Sequence, residues 1–255
     1  MSASAIALLT FLCVFGGALA GLGLRAALPE HHLSADSRDV VKVVTGLMAT
    51  LSALVLGLLI ASAKGSFDTV NDGFKRAAAQ IILIDRVLAQ YGPGADELRQ
   101  LLRSGFATRI DELFSPSGGD ARGGGASALR DASAMELLDS RVHALAATDD
   151  AQRKLKVRAE QLVADLIQAR WVGFEEASNT TPAAFLVVLV AWLAAMFVGF
   201  GLFAPRNATA LAALTIGALA VSTSIFLIEE MGRPLDGLIA VSSEPMRSAL
   251  SVLGK

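Results

Sequence analysis

Residues 43–63 read VVTGLMATLSALVLGLLIASA and contain no Lys, Arg, Asp or Glu. An α-helix rises about 1.5 Å per residue, so a run of this length can cross a hydrocarbon layer of about 30 Å. Three further stretches share this freedom from charge, namely residues 1–24, 177–205 and 207–228. The sequence therefore predicts an all-α, polytopic membrane protein with four transmembrane helices. We place the spans at about residues 4–24, 43–63, 183–203 and 208–228.

The region between the second and third spans has a different composition. Residues 64–176 carry 15 basic and 17 acidic side chains, whereas only 18% of the 255 residues are charged overall. This charge density is typical of a soluble domain. We therefore predict two transmembrane hairpins, 1–63 and 182–228, which flank a helical extramembrane bundle at 64–181. A tail, 229–255, follows the last span.

An apolar stripe with alternating spacings of three and four residues follows the second span. The stripe predicts that span two continues as one helix to Tyr91, where Gly92 and Pro93 end it. Copies of the chain could associate through such a stripe as a coiled coil, so we expect a homo-oligomer. A second amphipathic helix is predicted over residues 96–114. The stripe consists of Phe67, Val70, Phe74, Ala77, Ile81, Ile84, Leu88 and Tyr91.

Several classes of function are disfavoured by composition. The net charge of −2 does not indicate a nucleic-acid partner, and the single cysteine has no partner for a disulfide. No set of side chains suggests a catalytic, cofactor or metal site, so we expect that the protein is not an enzyme. The acidic and histidine residues of the first linker are interpreted as a solvated loop. They are Glu30, His31, His32, Asp36 and Asp39.

Candidate functional residues lie in and next to the spans. In span two, Leu47, Leu51, Leu54 and Leu58 step by four, three and four residues and could form a hydrophobic constriction that closes by dewetting. The alternative interpretation is that these leucines face lipid or neighbouring helices. We expect Thr45 and Ser52 beside this face, where they would hydrate the entrance. Charges at span ends, which would mark the membrane interface or form a ring in an oligomer, are Arg206, Glu229 and Glu230.

Four segments resemble the bestrophin-like domain family of bacterial membrane proteins. They are residues 28–57, 85–103, 200–207 (FGLFAPRN) and 233–250. The resemblance implies four spans and a remote similarity to bestrophins, which are pentameric anion channels with the second helix lining the pore.

Two functions remain open at this point. One is an oligomeric ion channel or pore, for which the partners are the lipid bilayer, further copies of the chain and a permeant ion, with no nucleic acid. The other is a non-conducting membrane scaffold or sensor with a cytoplasmic helical interaction domain. An even number of spans puts both termini and the middle domain on one side. We expect that side to be the cytoplasmic face of the inner membrane, since the positive-inside rule favours it slightly.

Overall fold

The computed structural model describes residues 2–29, 34–114, 125–178, 183–235 and 237–255. Within these ranges the chain forms α-helices and no strand, which confirms the all-α prediction. A 3₁₀ turn, Pro93–Ala95, follows the second helix. The helices are α1 (Ala3–Ala27), α2 (Ala35–Tyr91), α3 (Asp96–Phe114), α4 (Gly125–His143), α5 (Asp150–Ser178), α6 (Ala183–Phe203), α7 (Ala208–Met231) and α8 (Glu244–Val252).

Four of these helices are long and apolar enough to cross a membrane, namely α1, α2, α6 and α7. They correspond to the four predicted spans, and the protein is therefore a multi-pass membrane protein. The helix α2 is much longer than a span, with 57 residues, and it ends at Tyr91 as predicted. The next residue, Gly92, has a φ of 101°, a conformation that favours glycine and stops the helix.

The chain divides into two compact units. The membrane unit comprises residues 1–66 and 180–233, and the helical unit comprises residues 67–179 and 234–255. The helix α2 contributes residues to both units. The residues after Arg233, which the sequence suggested as a separate tail, belong to the helical unit.

Close backbone approach joins α1 to α6 in the membrane unit. A Cβ on Gly17 would lie 2.7 Å from the carbonyl oxygen of Ala194, and one on Gly21 would collide with the backbone of α6 at Val198. From the other side, a Cβ on Gly201 would collide with the carbonyl oxygen of Ala18. Small residues allow such contacts between membrane helices because they bring the two backbones within van der Waals distance.

The helical unit is built around the apolar stripe of α2. The residues of α3 at helical spacing, Leu98, Leu102, Phe106, Ile110 and Leu113, are all buried. From α5, Ala159, Leu162 and Leu166 join the same core. The short helix α8 adds Met246 and Ala249, so residues beyond the last span help to close this unit.

Candidate functional site

The leucine face of α2, defined as Leu47, Leu51, Leu54 and Leu58, is open in the membrane unit. The exposed fractions of these residues are 60%, 44%, 66% and 71%, in that order. In the apolar 18-residue segment of α2, only 11% is buried, whereas the corresponding segments of the other three spans are 22–28% buried. The helix that carries the candidate residues is therefore the span least covered by its own chain.

The two hydroxyl residues of the candidate set lie on the opposite side of α2. Thr45 is 7% exposed and Ser52 is 3% exposed. Successive residues of a helix are rotated by about 100°, so Thr45 is about 200° away from Leu47. The prediction that these hydroxyls lie beside the leucine face is therefore wrong.

Thr45 fits against α6 at a glycine. Its Oγ1 lies 3.1 Å from the position that a Cβ on Gly199 would occupy, and the Val41 side chain lies 3.8 Å from the same position. The Ser52 Oγ is buried, and within the described residues it has no hydrogen-bond partner. In α7, Thr215 and Ser222 each donate to a carbonyl oxygen four residues earlier. A hydroxyl bonded in this way is satisfied by its own helix.

The second half of the apolar stripe is buried within the molecule. From Ile81 to Tyr91 its members are at most 5% exposed, and they pack against α3, α5 and α8 of the same molecule. A heptad pattern specifies an apolar face but not whether the partner helix comes from the same chain. Residues 81–91 fill an intramolecular core, so the prediction of a coiled coil between copies is wrong for this part of the stripe. For Phe67 and Val70, which are half-buried and lie outside that core, it stays a prediction.

The candidate interface charges do not form one group. Arg206 precedes α7 and donates from Nη2 to the carbonyl oxygen of Leu22 at 3.3 Å. Glu229 and Glu230 lie in the last turn of α7, which is about 35 Å further along the helix. Glu230 is buried, with 7% exposure, whereas Glu229 is half-buried.

The linker residues Glu30, His31 and His32 lie outside the described residues. Asp36 and Asp39 are exposed in the first two turns of α2. Across the described ranges, no three side chains of the His, Cys, Asp or Glu type lie together in a way that could hold a metal ion.

Comparison with protein families identifies the chain. The model of the bestrophin-like domain matches residues 12–246, which is most of its length. The chain belongs to the bestrophin-like family. No curated protein and no solved structure matches it.

One site in this bestrophin-like chain has no counterpart among the candidates taken from the sequence. Asp85 is 1% exposed, and its carboxylate accepts two hydrogen bonds from Arg99, from Nε at 2.9 Å and from Nη2 at 3.3 Å. It also accepts one from the backbone N–H of Gly254 at 3.2 Å. The hydrogen bond to Asp85 raises the pKa of the Arg99 guanidinium above its ordinary value.

This carboxylate connects three parts of the helical unit. Asp85 lies on α2, Arg99 lies on α3, and Gly254 follows α8 with a φ of 78° that favours glycine. A sequence signal for the site exists, because Asp85 directly follows Ile84, a member of the apolar stripe. A carboxylate on a core face needs a cation or N–H partner, and Arg99 follows in the next helix.

Proposed function

We propose that copies of this chain assemble in the membrane into an ion channel, with the leucine face of α2 directed toward the ion path. The observation that carries the proposal is the open leucine face on the least covered span. A ring of four leucine layers can exclude water and stop conduction without a charged gate. Membership of the bestrophin-like family supports the assignment by analogy, since bestrophins conduct anions along their second helix.

Contacts between copies of the chain would not use the buried second half of the apolar stripe. Residues 81–91 are occupied inside each molecule, so copies would meet through the membrane unit. The hydroxyls of Thr45 and Ser52 point away from a path on the leucine face. We therefore propose the leucines alone as the lining of the constriction. Residues 43–63 contain no ionisable side chain, which favours a hydrophobic gate over proton coupling.

The experiment combines oligomeric state with flux. The full chain is purified in a mild detergent, its mass is measured by light scattering, and it is reconstituted into liposomes loaded with chloride or potassium. We expect an oligomer that conducts, and a raised leak for Leu51→Ser because a polar ring holds water. The matched control is Leu12→Ser on α1, since Leu12 is 57% exposed and carries the same side chain. We expect it to conduct like the parent.

A monomer that conducts no ions would overturn the channel and favour the scaffold or sensor. The specific observation behind that alternative is the continuity of α2, a single helix that contributes to the membrane unit and the helical unit. Such a helix could transmit a signal without conduction.

We further propose that the protein resides in the inner membrane with the helical unit and both termini in the cytoplasm. Lys154 is exposed on α5 and can carry a reporter thiol. In a Cys13→Ser background, Lys154→Cys is expected to resist an impermeant thiol reagent in intact cells and to react after lysis. Labelling in intact cells would reverse the orientation.

A further inference from the structure

Three arginines converge at one end of the membrane unit. We call Arg25, Arg38 and Arg206 the arginine cluster. Arg25 lies in the last turn of α1 and donates from Nη1 to the carbonyl oxygen of Ala204, just after α6. Arg206 reaches back to the carbonyl oxygen of Leu22. The Arg38 guanidinium lies 5.6 Å from the centroid of the Phe203 ring, within the range of a cation–π contact.

Most N–H donors of the arginine cluster have no hydrogen-bond partner among the described residues. A guanidinium carries five N–H donors, and the hydrogen bonds described for Arg25 and Arg206 use one each. None of the three arginines forms an ion pair with a carboxylate of the described residues. At the same end, by contrast, the Lys42 ammonium lies 3.3 Å from Asp39. Within the described residues, backbone carbonyls and an aromatic ring hold the three side chains in place, and no carboxylate neutralises them.

The cluster lies where charge-free sequence ends. The apolar run of α1 ends at Leu24, that of α6 ends at Pro205, and that of α2 begins at Val43. The arginines therefore lie at the depth of the headgroups. The orientation proposed above puts this end at the outer surface of the inner membrane, where guanidinium groups can contact lipid phosphates. The described charges at this end are four cations, Arg25, Arg38, Lys42 and Arg206, and two acids, Asp36 and Asp39.

We propose that the arginine cluster binds the phosphate of an anionic phospholipid. Planar guanidinium groups bind phosphate oxygens bidentately, and the carbonyl bonds of Arg25 and Arg206 preorganise two of them. The occupant is a lipid because its acyl chains can lie along the apolar surface of α1 and α6 next to the cluster. On this basis the lipid joins the ends of α1, α2 and α6 at one membrane surface.

The test measures binding of phosphatidylglycerol to the purified full chain in phosphatidylcholine nanodiscs. Retained lipid is counted by native mass spectrometry as the phosphatidylglycerol fraction is varied. We expect Arg38→Gln to weaken binding about fivefold, the loss typical of one interfacial basic residue. Among the described residues the Arg38 guanidinium donates to no backbone carbonyl, so this variant is expected to keep the fold. Arg38→Lys retains the charge and is expected to bind more tightly than Arg38→Gln.

Two controls separate a site from diffuse attraction. Lys42→Gln removes the same charge at the same end, but from a side chain already paired with Asp39, so we expect a smaller loss. A loss as large as that of Arg38→Gln would overturn the proposal, as would equal retention of phosphatidylglycerol by parent and Arg38→Gln. The second control measures binding of inorganic phosphate to the parent in detergent that contains no anionic lipid. We expect no saturable binding there, and binding as tight as that of the lipid would assign the cluster to a free anion instead.

Discussion

The two halves of α2 use apolar side chains in opposite ways. In the half that belongs to the membrane unit, the leucine face is 44–71% exposed and the buried positions include the hydroxyls of Thr45 and Ser52. In the half that belongs to the helical unit, Ile84 and Leu88 are at most 1% exposed and the outer face is polar. The comparison shows that this continuous helix buries the same face in both halves, since Ser52 and Leu88 are 36 residues, or about ten turns, apart. That face carries hydroxyls in the membrane unit and large apolar side chains in the helical unit.

The difference follows from the hydrophobic effect. In water, apolar area removed from the solvent stabilises a fold by about 25 cal/mol per Å². In lipid this driving force between helices is absent, and packing of small residues and hydrogen bonds replaces it. A leucine on the membrane half therefore contributes little to the fold of one molecule, whereas a leucine on the other half contributes several kcal/mol.

The largest effect is expected from the carboxylate buried in the helical half. Asp85→Ala leaves the Arg99 guanidinium, whose side chain is 16% exposed, without its buried ion-pair partner. We expect the free energy of unfolding of the helical unit to fall by about 3–5 kcal/mol. Chemical denaturation of the detergent-solubilised protein, followed by circular dichroism, measures this change. Asp96→Ala is the matched control.

Asp96 also approaches Arg99, at 3.9 Å, but its side chain is 62% exposed. An exposed pair contributes at most about 1 kcal/mol. If the two aspartate variants lost equal stability, the buried carboxylate would not hold α2, α3 and the segment after α8 together.

A leucine-to-alanine substitution in each half of α2 compares the two halves directly. Leu88→Ala removes a buried side chain from the core of the helical unit, and we expect a loss of about 3 kcal/mol. Leu58→Ala alters a side chain that is 71% exposed, and we expect a loss below about 1 kcal/mol. Denaturation curves of the two variants, recorded in the same detergent, give both values. Equal losses would mean that the membrane half is packed as tightly as the other half.

Features of the fold that depend on local sequence pattern were predictable, whereas contacts between distant segments were not. Hydropathy and spacing predicted the four spans, the end of α2 at Tyr91 and the buried face of α3, because these features depend on local pattern. The partner of the α2 stripe was not predictable, since a heptad pattern is satisfied equally by a second copy or by α3 and α5. The position of Ser52 opposite Leu54 follows from helical geometry at about 100° per residue and could have been predicted.

The pairing of Asp85 with Arg99 and Gly254 was harder to predict from the sequence. Asp85 and Gly254 are 169 residues apart, so their contact depends on how α8 returns to α2 and α3. The sequence does show that a carboxylate lies directly beside the apolar stripe. It does not show which of the many arginines of this region, or which backbone N–H, satisfies that carboxylate.

A moderate effect is expected where α1 meets α6. Gly21→Ala places a methyl group against the backbone of Val198 and Leu202, so the two helices must separate. We expect the membrane unit to lose about 2 kcal/mol, within the range for overpacked sites. Unfolding in mixed micelles with increasing sodium dodecyl sulfate measures this loss. Gly23→Ala is the control, because nothing lies within 4 Å of its added Cβ, and it is expected to match the parent.

The smallest effect has the opposite sign. Ser52→Ala removes a buried hydroxyl that has no hydrogen-bond partner in the described part of the chain, so we expect the membrane unit to gain about 1 kcal/mol. Thr50→Ala is the control, since the exposed Thr50 hydroxyl already donates to the carbonyl oxygen of Gly46. The same unfolding assay in mixed micelles applies. A loss of stability in Ser52→Ala would show that the hydroxyl has a partner in the membrane.

The direction of the leucine face is tested most directly by cysteine scanning of α2 in conducting proteoliposomes. Single cysteines replace Leu47, Leu51, Leu54 and Leu58, and separately Thr45 and Ser52, in a Cys13→Ser background. A water-soluble thiol reagent is then added while flux is recorded. We expect inhibition at the leucine positions, with the period of a helix, and no inhibition at Thr45 or Ser52. Inhibition at Thr45 and Ser52 alone, or at none of the six positions, would contradict an ion path on the leucine face.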